Sequence, residues 1–503
     1  MKLKLEEGWL NNHPLLQKVA QITREHQTEI YLVGGAVRDL LLRREAIVDL
    51  DFAVPDDGLA IARQVANTLN AAFYPLDIER GTGRVVYDDP NAYGPQKSYL
   101  DFATFRGATL PDDLSDRDFT INAMALNLAD PDELIDPHQG QRDLAAGQIQ
   151  VVSEAAFGHD PARVLRAIRQ ATEFNFSIET QTQQLLSQAT PRLADVSPER
   201  QRDELVKLLN TPAPGQAGQM LHRLHVLPHI LPEVEAMSGI SQSSPHHLDV
   251  FDHTTAALDA WATMRLDHFP EVPAGLQTAI QQYLNDPLAG DINPQILMPL
   301  ALLLHDTGKP LTRTQQADKI RFLGHEKESA KITHQVMQRL RFSGQAIGFV
   351  EKVAAHHMRP LMLAQEGKVS RRAIYRLFRD TTGGNYQAGI TVALHALADH
   401  RATYPPGQGQ AEEEALLEVI NKLIAAYFEQ RNQVVNPPPL LTGRDLIKEL
   451  GLSPGRLIGL LLNRLKEAQA VGQVQARDEA LDFIKADPDF QTNKEGSDQW
   501  PNS

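Results

Sequence analysis

The stretch YLVGGAVRDLLLRREAIVDLDFAV, residues 31–54, decides how the rest of the chain is read. An apolar, strand-like run ends in Gly34-Gly35, a helical run follows, and a second strand carries Asp49 and Asp51. Side chains two apart on a strand face the same way, about 6.5–7 Å apart. Two carboxylates on one face, with no Lys nearby, repel each other unless a cation sits between them. Such hard oxygen ligands suit Mg²⁺, which takes one or two carboxylates and fills its shell with substrate phosphates. A glycine pair ahead of a helix lets the backbone approach a triphosphate, whose charge the helix N-terminus favours. DLD alone would read as two solvated turn acids. Joined to GGAVRDLLL at this spacing, it reads as a site for a metal-held triphosphate.

Composition bounds the remainder. At 503 residues the chain has room for roughly three or four domains with full cores. It is 42% hydrophobic without an 18-residue apolar run, so no membrane span is expected. The opening MKLKLEEGWL has acids where a signal peptide needs an apolar core, which predicts a cytoplasmic protein. The lack of cysteine excludes disulfides, thiolate zinc and thiol catalysis. A net charge of −15 argues against a generic nucleic-acid binder, so an RNA partner would require Lys and Arg gathered on one face.

Residues 1–150 alternate strand-like runs (EIYLVGG, IVDLDFAV, RVVYDD, SYLDFATF) with helical stretches, which predicts an α+β head on a small mixed sheet. From about Ala155 the pattern turns helical, and YPPGQGQ at 404–410 and NPPPLL at 436–441 read as linkers. The expected order is a head (1–150), a helical neck (151–240), a helical metal domain (241–405), a helical tail (406–486) and a disordered end (487–503).

GGAVRDLLL, DLDFAV, DFATFR at 101–106 and RDFTINAMAL at 117–126 stand in one order. Together they resemble the head of the class II tRNA nucleotidyltransferases and bacterial poly(A) polymerases, within the polymerase-beta-like superfamily. The resemblance implies two Mg²⁺ ions on Asp49 and Asp51, with Asp101 as a third catalytic acid. It implies nucleotide contacts from Gly34, Gly35, Arg38, Arg117, Asp118 and Asn122. Asp116 stands where many relatives carry a second arginine. Asp118 is also expected to cap a helix starting near Ile121.

HDPARVLRAIRQATEF at 159–174 resembles the EDxxR helix that templates the base in this family, which brings in Asp160, Arg163, Arg166 and Arg169. Asp160 and Arg163, three apart, are expected on one helical face, where a carboxylate and a guanidinium match cytosine or adenine and reject uracil and guanine. The bland alternative is a helix salt bridge. GATLPDDLSD at 107–116 is shorter than the flexible loop of CCA-adding relatives and resembles the CC-adding type. The expected activity is therefore addition of two cytidines to tRNA from CTP. CCA-adding, A-adding and poly(A) enzymes using ATP are the alternatives within the class.

A second series, His253, His305-Asp306 and Asp399, resembles the HD phosphohydrolase superfamily. It implies a transition metal such as Ni²⁺, Mn²⁺ or Fe²⁺, with His325, His356 and His357 available for a second ion. This supports a rival from another class, a metal phosphohydrolase with an RNA-binding head. LLTGRDLIKELGLSPGRLIGLLLNRL at 440–465 resembles the family's tail, where Arg444, Lys448 and Arg456 would meet RNA phosphates.

Overall fold

The computed structural model describes residues 9–44, 49–88, 97–131, 133–290, 292–316 and 319–497, with side chains to 492. It divides into two compact units, one of residues 1–204 with 224–229 and one of residues 205–223 with 230–503.

The first unit is built on seven strands: β1 (Tyr31–Val33), β2 (Asp49–Val54), β3 (Ala72–Asp77), β4 (Thr82–Asp88), β5 (Lys97–Thr104), β6 (Ala125–Asn127) and β7 (Leu134–Ile135). Their order across the sheet is β3-β4-β5-β2-β1-β6-β7, and only β2 and β5 run parallel. The four strand-like runs of the sequence became β1, β2, β4 and β5. In β2 the acids Asp49 and Asp51 are exposed while Leu50, Phe52, Ala53 and Val54 are buried. Phe52 stacks on Phe102 of β5 with ring centroids 4.6 Å apart. The sheet thus buries one face and keeps the acids on the open one.

One expectation in this unit is corrected. No long helix starts near Ile121: Thr120–Asn122 is one 3₁₀ turn and the chain passes into β6, which pairs with β1. Pairing with a central strand outweighs the helical look of INAMAL. In the short segment 107–116, Leu110–Ser115 forms a helix with a Thr109/Asp112 capping box. Leu110 and Leu114 of that helix bury against Val33, Ala53, Ala123 and Ala125.

The second unit is almost entirely helical, apart from hairpins such as Arg313–Gln316 with Lys319–Phe322. No helix among the described residues is long and apolar enough to cross a membrane. The end of the chain is not structureless from 487 onward. Pro488–Ser497 is helical, and Phe490 is buried with Leu465, Ile484 and Ala480 in the tail core. Residues 498–503 lie outside the described residues.

Candidate active site and a buried histidine–aspartate cluster

Strand register assembles the acids. Asp51 of β2 lies opposite Asp101 of β5, and Asp101 lies opposite Arg84 of β4. Arg84 grips Asp101 with two bonds of 2.7 Å, so the third acid comes with its own counter-ion. Among the described residues, Asp49 and Asp51 have no such partner. Although the Asp51 side chain opens to the cleft, the surrounding protein raises its pKa; Arg117 and Arg166 oppose this, while Asp101 and Asp49 add to it. A carboxylate whose pKa is raised by burial and by two neighbouring acids is a group that a divalent cation would relieve.

Gly34 closes the cleft on one side. Its φ of +74° belongs to the left-handed region, and a Cβ there would lie 2.9 Å from Arg117 Nη1 and 3.7 Å from Asp51 Oδ2. The helix behind it, Gly35–Leu41, has only seven residues. Arg117 is held by buried Asp113 through Nε and Nη2, at 3.2 and 3.0 Å. Its remaining Nη1 is the part that approaches Gly34.

Three expected nucleotide ligands are occupied with the frame. Arg38 is buried, donates to Asn122 Oδ1 at 2.7 Å and lies 4.4 Å over the Phe174 ring. Asn122 in turn donates to Asp118 Oδ1 at 2.9 Å. Asp118 also takes the Phe119 amide at 2.8 Å and pairs with Arg166 at 3.1 Å. Despite its burial, Asp118 is kept ionised by Arg166, Asn122 and the Phe119 amide.

The expected Asp160–Arg163 pair is corrected. The helix runs Arg163–Phe174 with Ala162 as its cap, so Asp160 precedes it and shares no helical face with Arg163. Asp160 pairs with Arg200 at 2.7 Å. Arg163 is buried and gives its guanidinium to the carbonyls of Asp116, Arg117 and Ala156, at 2.7, 3.1 and 3.3 Å. It therefore pins the RDFT segment. Arg169 is likewise bound, to Glu204 and Glu173. Arg166 is different: its side chain is 39% exposed and its Nε has no hydrogen-bond partner.

In the second unit the four expected ligands come together from two helices and the turn that ends a third. His253 lies on Val250–Leu266, His305-Asp306 follow Pro294–Leu304, and Asp399 lies on Gly389–Thr403. His253 Nε2 is 2.7 Å and His305 Nε2 3.3 Å from Asp399 Oδ1, with His305 Nε2 3.2 Å from Asp306 Oδ2. Gly308 permits this turn, because a Cβ there would strike the His325 carbonyl and Ser329 amide at 2.4 and 2.6 Å. Burial opposes charge on His305, but Asp306 and Asp399 raise its pKa to about 10. His305 Nε2 and Asp306 Oδ1 are buried without hydrogen-bond partners, which is costly in a protein interior unless an ion fills the space. The donor set of imidazoles and carboxylates suits a divalent transition metal. His357 joins this cluster, whereas His356 does not and is corrected.

Sequence reading missed His395. It is buried one helical turn before Asp399, with its ring centroid 4.8 Å from that of His305 and neither nitrogen bonded. The H-x-x-x-D spacing was the available signal. In the tail, Arg444, Lys448 and Arg456 are exposed, and Arg444 lines a hollow of about 560 Å³ with Thr442, Gly443, Pro454 and Gly455.

Comparison with known proteins bears on the head first. Residues 30–150 match the Poly A polymerase head domain, 175–237 the RNA and SrmB-binding site of polymerase A, and 322–484 tRNA nucleotidyltransferase domain 2. An A-adding tRNA nucleotidyltransferase of Deinococcus radiodurans is 34% identical over 90% of this chain and 94% of its own. This chain belongs to the tRNA nucleotidyltransferases. A CC-adding member from Geobacter sulfurreducens is 31% identical over 94% of this chain and 95% of its own. The fold is that of the Thermotoga maritima CCA-adding enzyme solved with tRNA, at 24% identity, a TM-score of 0.55 and 94% coverage of both chains. As a tRNA nucleotidyltransferase, the chain is an enzyme of nucleotidyl transfer.

Proposed function

We propose that this enzyme adds two cytidines from CTP to the 3′ end of tRNA in the cytoplasm and releases pyrophosphate. The observation that carries this reading is the 107–116 segment. It is a capped, half-buried helix tied down by Asp113, which accepts from the Arg106 amide and from Arg117. A cleft walled by a packed element keeps one shape, and one shape suits the smaller base and resists the change that adenine would need.

Asp49 and Asp51 are the residues that would hold Mg²⁺, which when bound neutralises the triphosphate and the leaving pyrophosphate. The tRNA 3′-oxygen attacks the α-phosphorus, and the bond from that phosphorus to the bridging oxygen of pyrophosphate breaks. Asp101, steadied by Arg84, orients the attacking hydroxyl beside Asp51. Arg117, aimed past Gly34, meets the phosphates. Asp160 and Arg166 face the base, since Arg163 is committed to carbonyls. Arg444, Lys448 and Arg456 hold tRNA phosphates without reading sequence.

The Deinococcus relative, an A-adding enzyme, favours a second reading, addition of the terminal adenosine. Supplying labelled CTP or ATP separately, to tRNA ending at the discriminator base and to tRNA ending in CC, separates the two. CMP on the first substrate and no AMP on the second supports CC addition; the reverse supports A addition.

In the second unit we infer one transition-metal ion, such as Ni²⁺, Mn²⁺ or Fe²⁺, on His253, His305, Asp306 and Asp399. The unpartnered Nε2 of His305 and the Oδ1 of Asp306 support it.

A further inference from the structure

In nucleotidyl transfer the attacking and leaving oxygens stand roughly in line through the phosphorus. The triphosphate lies on the β1 side of Asp51, because Gly34 follows β1 and a Cβ there would touch Arg117 and Asp51. The attacking hydroxyl therefore arrives from the opposite side, over β5, where Asp101 stands in register with Asp51. The tRNA strand behind that hydroxyl leaves across the rest of the open face, first β4 and then β3.

Register extends the row of acids to the edge of the sheet. Asp51 pairs with Asp101, Asp101 with Arg84, and Arg84 with Tyr74 of β3. Paired residues on neighbouring strands share a face, so Tyr74 stands on the face of the acids. Phe73 turns the other way. A Cβ on Gly83 would lie 2.9 Å from Phe73 Cε2 and 2.8 Å from Ala62 Cβ, on the helix Gly58–Leu69. Three strand spacings of about 4.8 Å put Tyr74 roughly 14 Å from Asp51.

Two tyrosines flank Arg84 on this face. Tyr99, in register with Asp49, is covered by the Arg84 guanidinium, 5.1 Å from the ring centroid. Tyr74 is 55% exposed, so its ring is the one left open beside a row of charged groups. A proline inside a strand turns its missing N–H to the free edge, so Pro75 makes β3 a poor template for another strand. A flat partner laid on the face fits better than a strand added at the edge.

We propose that Tyr74 is a stacking platform for an unpaired base of the tRNA 3′ strand, behind the nucleotide that attacks. The proposal rests on the placement of the attacking hydroxyl at Asp101 and extends it. Every base has a π-face, so this contact grips the strand without reading its sequence. It holds the strand at a second point away from the acids, and its effect falls on tRNA binding rather than on the triphosphate.

The test compares full-length Tyr74→Ala, Tyr74→Phe and Asp101→Asn with the parent. The substrate is tRNA ending in one or two cytidines, supplied with the nucleotide that the parent adds to it. Tyr74→Ala should raise the KM for tRNA about fivefold or more, the lower end of one base–aromatic stack, and leave the KM for the nucleotide within about twofold. Tyr74→Phe keeps the ring and should restore the KM for tRNA. The difference should persist at raised salt, since a stack releases no counterions. An unaltered KM for tRNA in Tyr74→Ala, with Asp101→Asn slowed, would overturn the platform and keep the placement of the hydroxyl. Full activity in Asp101→Asn would overturn both. Tyr74→Phe as weak as Tyr74→Ala would assign the contact to the phenolic hydroxyl and overturn the stack. A parent dimer that dissociates in Tyr74→Ala, at an unchanged KM for tRNA, would overturn it in favour of a second copy of this chain.

Discussion

Replacing Arg163 by alanine separates two roles for the Arg163–Phe174 helix. If the guanidinium reads the base, its loss relaxes discrimination against UTP by about 1–3 kcal/mol, roughly 5–150-fold. The structure spends that guanidinium elsewhere, on three carbonyls at 2.7, 3.1 and 3.3 Å from a buried position. Bonds to a charged donor contribute about 1.5–3 kcal/mol each, so losing the two shorter ones costs about 3–6 kcal/mol. In a unit of roughly 200 residues this lowers the melting temperature by about 6 °C or more. The expected outcome is a protein less stable in its first unit and slower with every nucleotide, whose CTP-over-UTP preference stays within about twofold of the parent. Calorimetry and single-nucleotide incorporation rates measure both quantities. A preference that collapses while the melting temperature holds would refute the strut and restore the template role.

Asp49→Asn and Asp51→Asn should each remove nucleotide addition while sparing tRNA affinity in a filter-binding assay; residual incorporation above a few per cent in both would discount the metal site. Asp51→Asn should also melt higher at neutral pH, because an acid whose folded pKa is raised loses stability as pH climbs through that value. The same shift makes the acid limb of the pH–rate profile fall at a higher pH than an ordinary aspartate gives. Asp101→Asn removes a neighbouring negative charge and should move that limb to lower pH; an unmoved limb would separate Asp51 from the rate. Phe490→Ala should cost the second unit about 3 kcal/mol in denaturant, whereas no change would mean the final helix is not part of its core.

The acids were legible because a strand's period of two survives any tertiary context, and DLD runs straight into the buried Phe52, Ala53 and Val54. The seven-stranded order was less so: β6 and β7 are too short to carry a pattern, and β6 is held as a strand by pairing with β1 on one side and β7 on the other. The Leu110–Ser115 helix hid behind a proline and three aspartates, although Thr109 and Asp112 form a capping box visible in the sequence. Arg163 could not be placed from sequence. Its main partners are carbonyls 46 and 47 residues away, and carbonyls carry no residue-type signal. The histidine–aspartate cluster was half legible. Side-chain identity named the ligands, but separating His357 from His356 needed the turn that ends their helix.

Product composition on one substrate tests the central claim most directly. The enzyme would be given tRNA ending at the discriminator base with CTP and ATP together, and the intact product weighed. Two added cytidines and no adenosine is the predicted product. A full CCA end, or no added cytidine at all, would contradict the account of a cleft held to one shape by the Leu110–Ser115 helix.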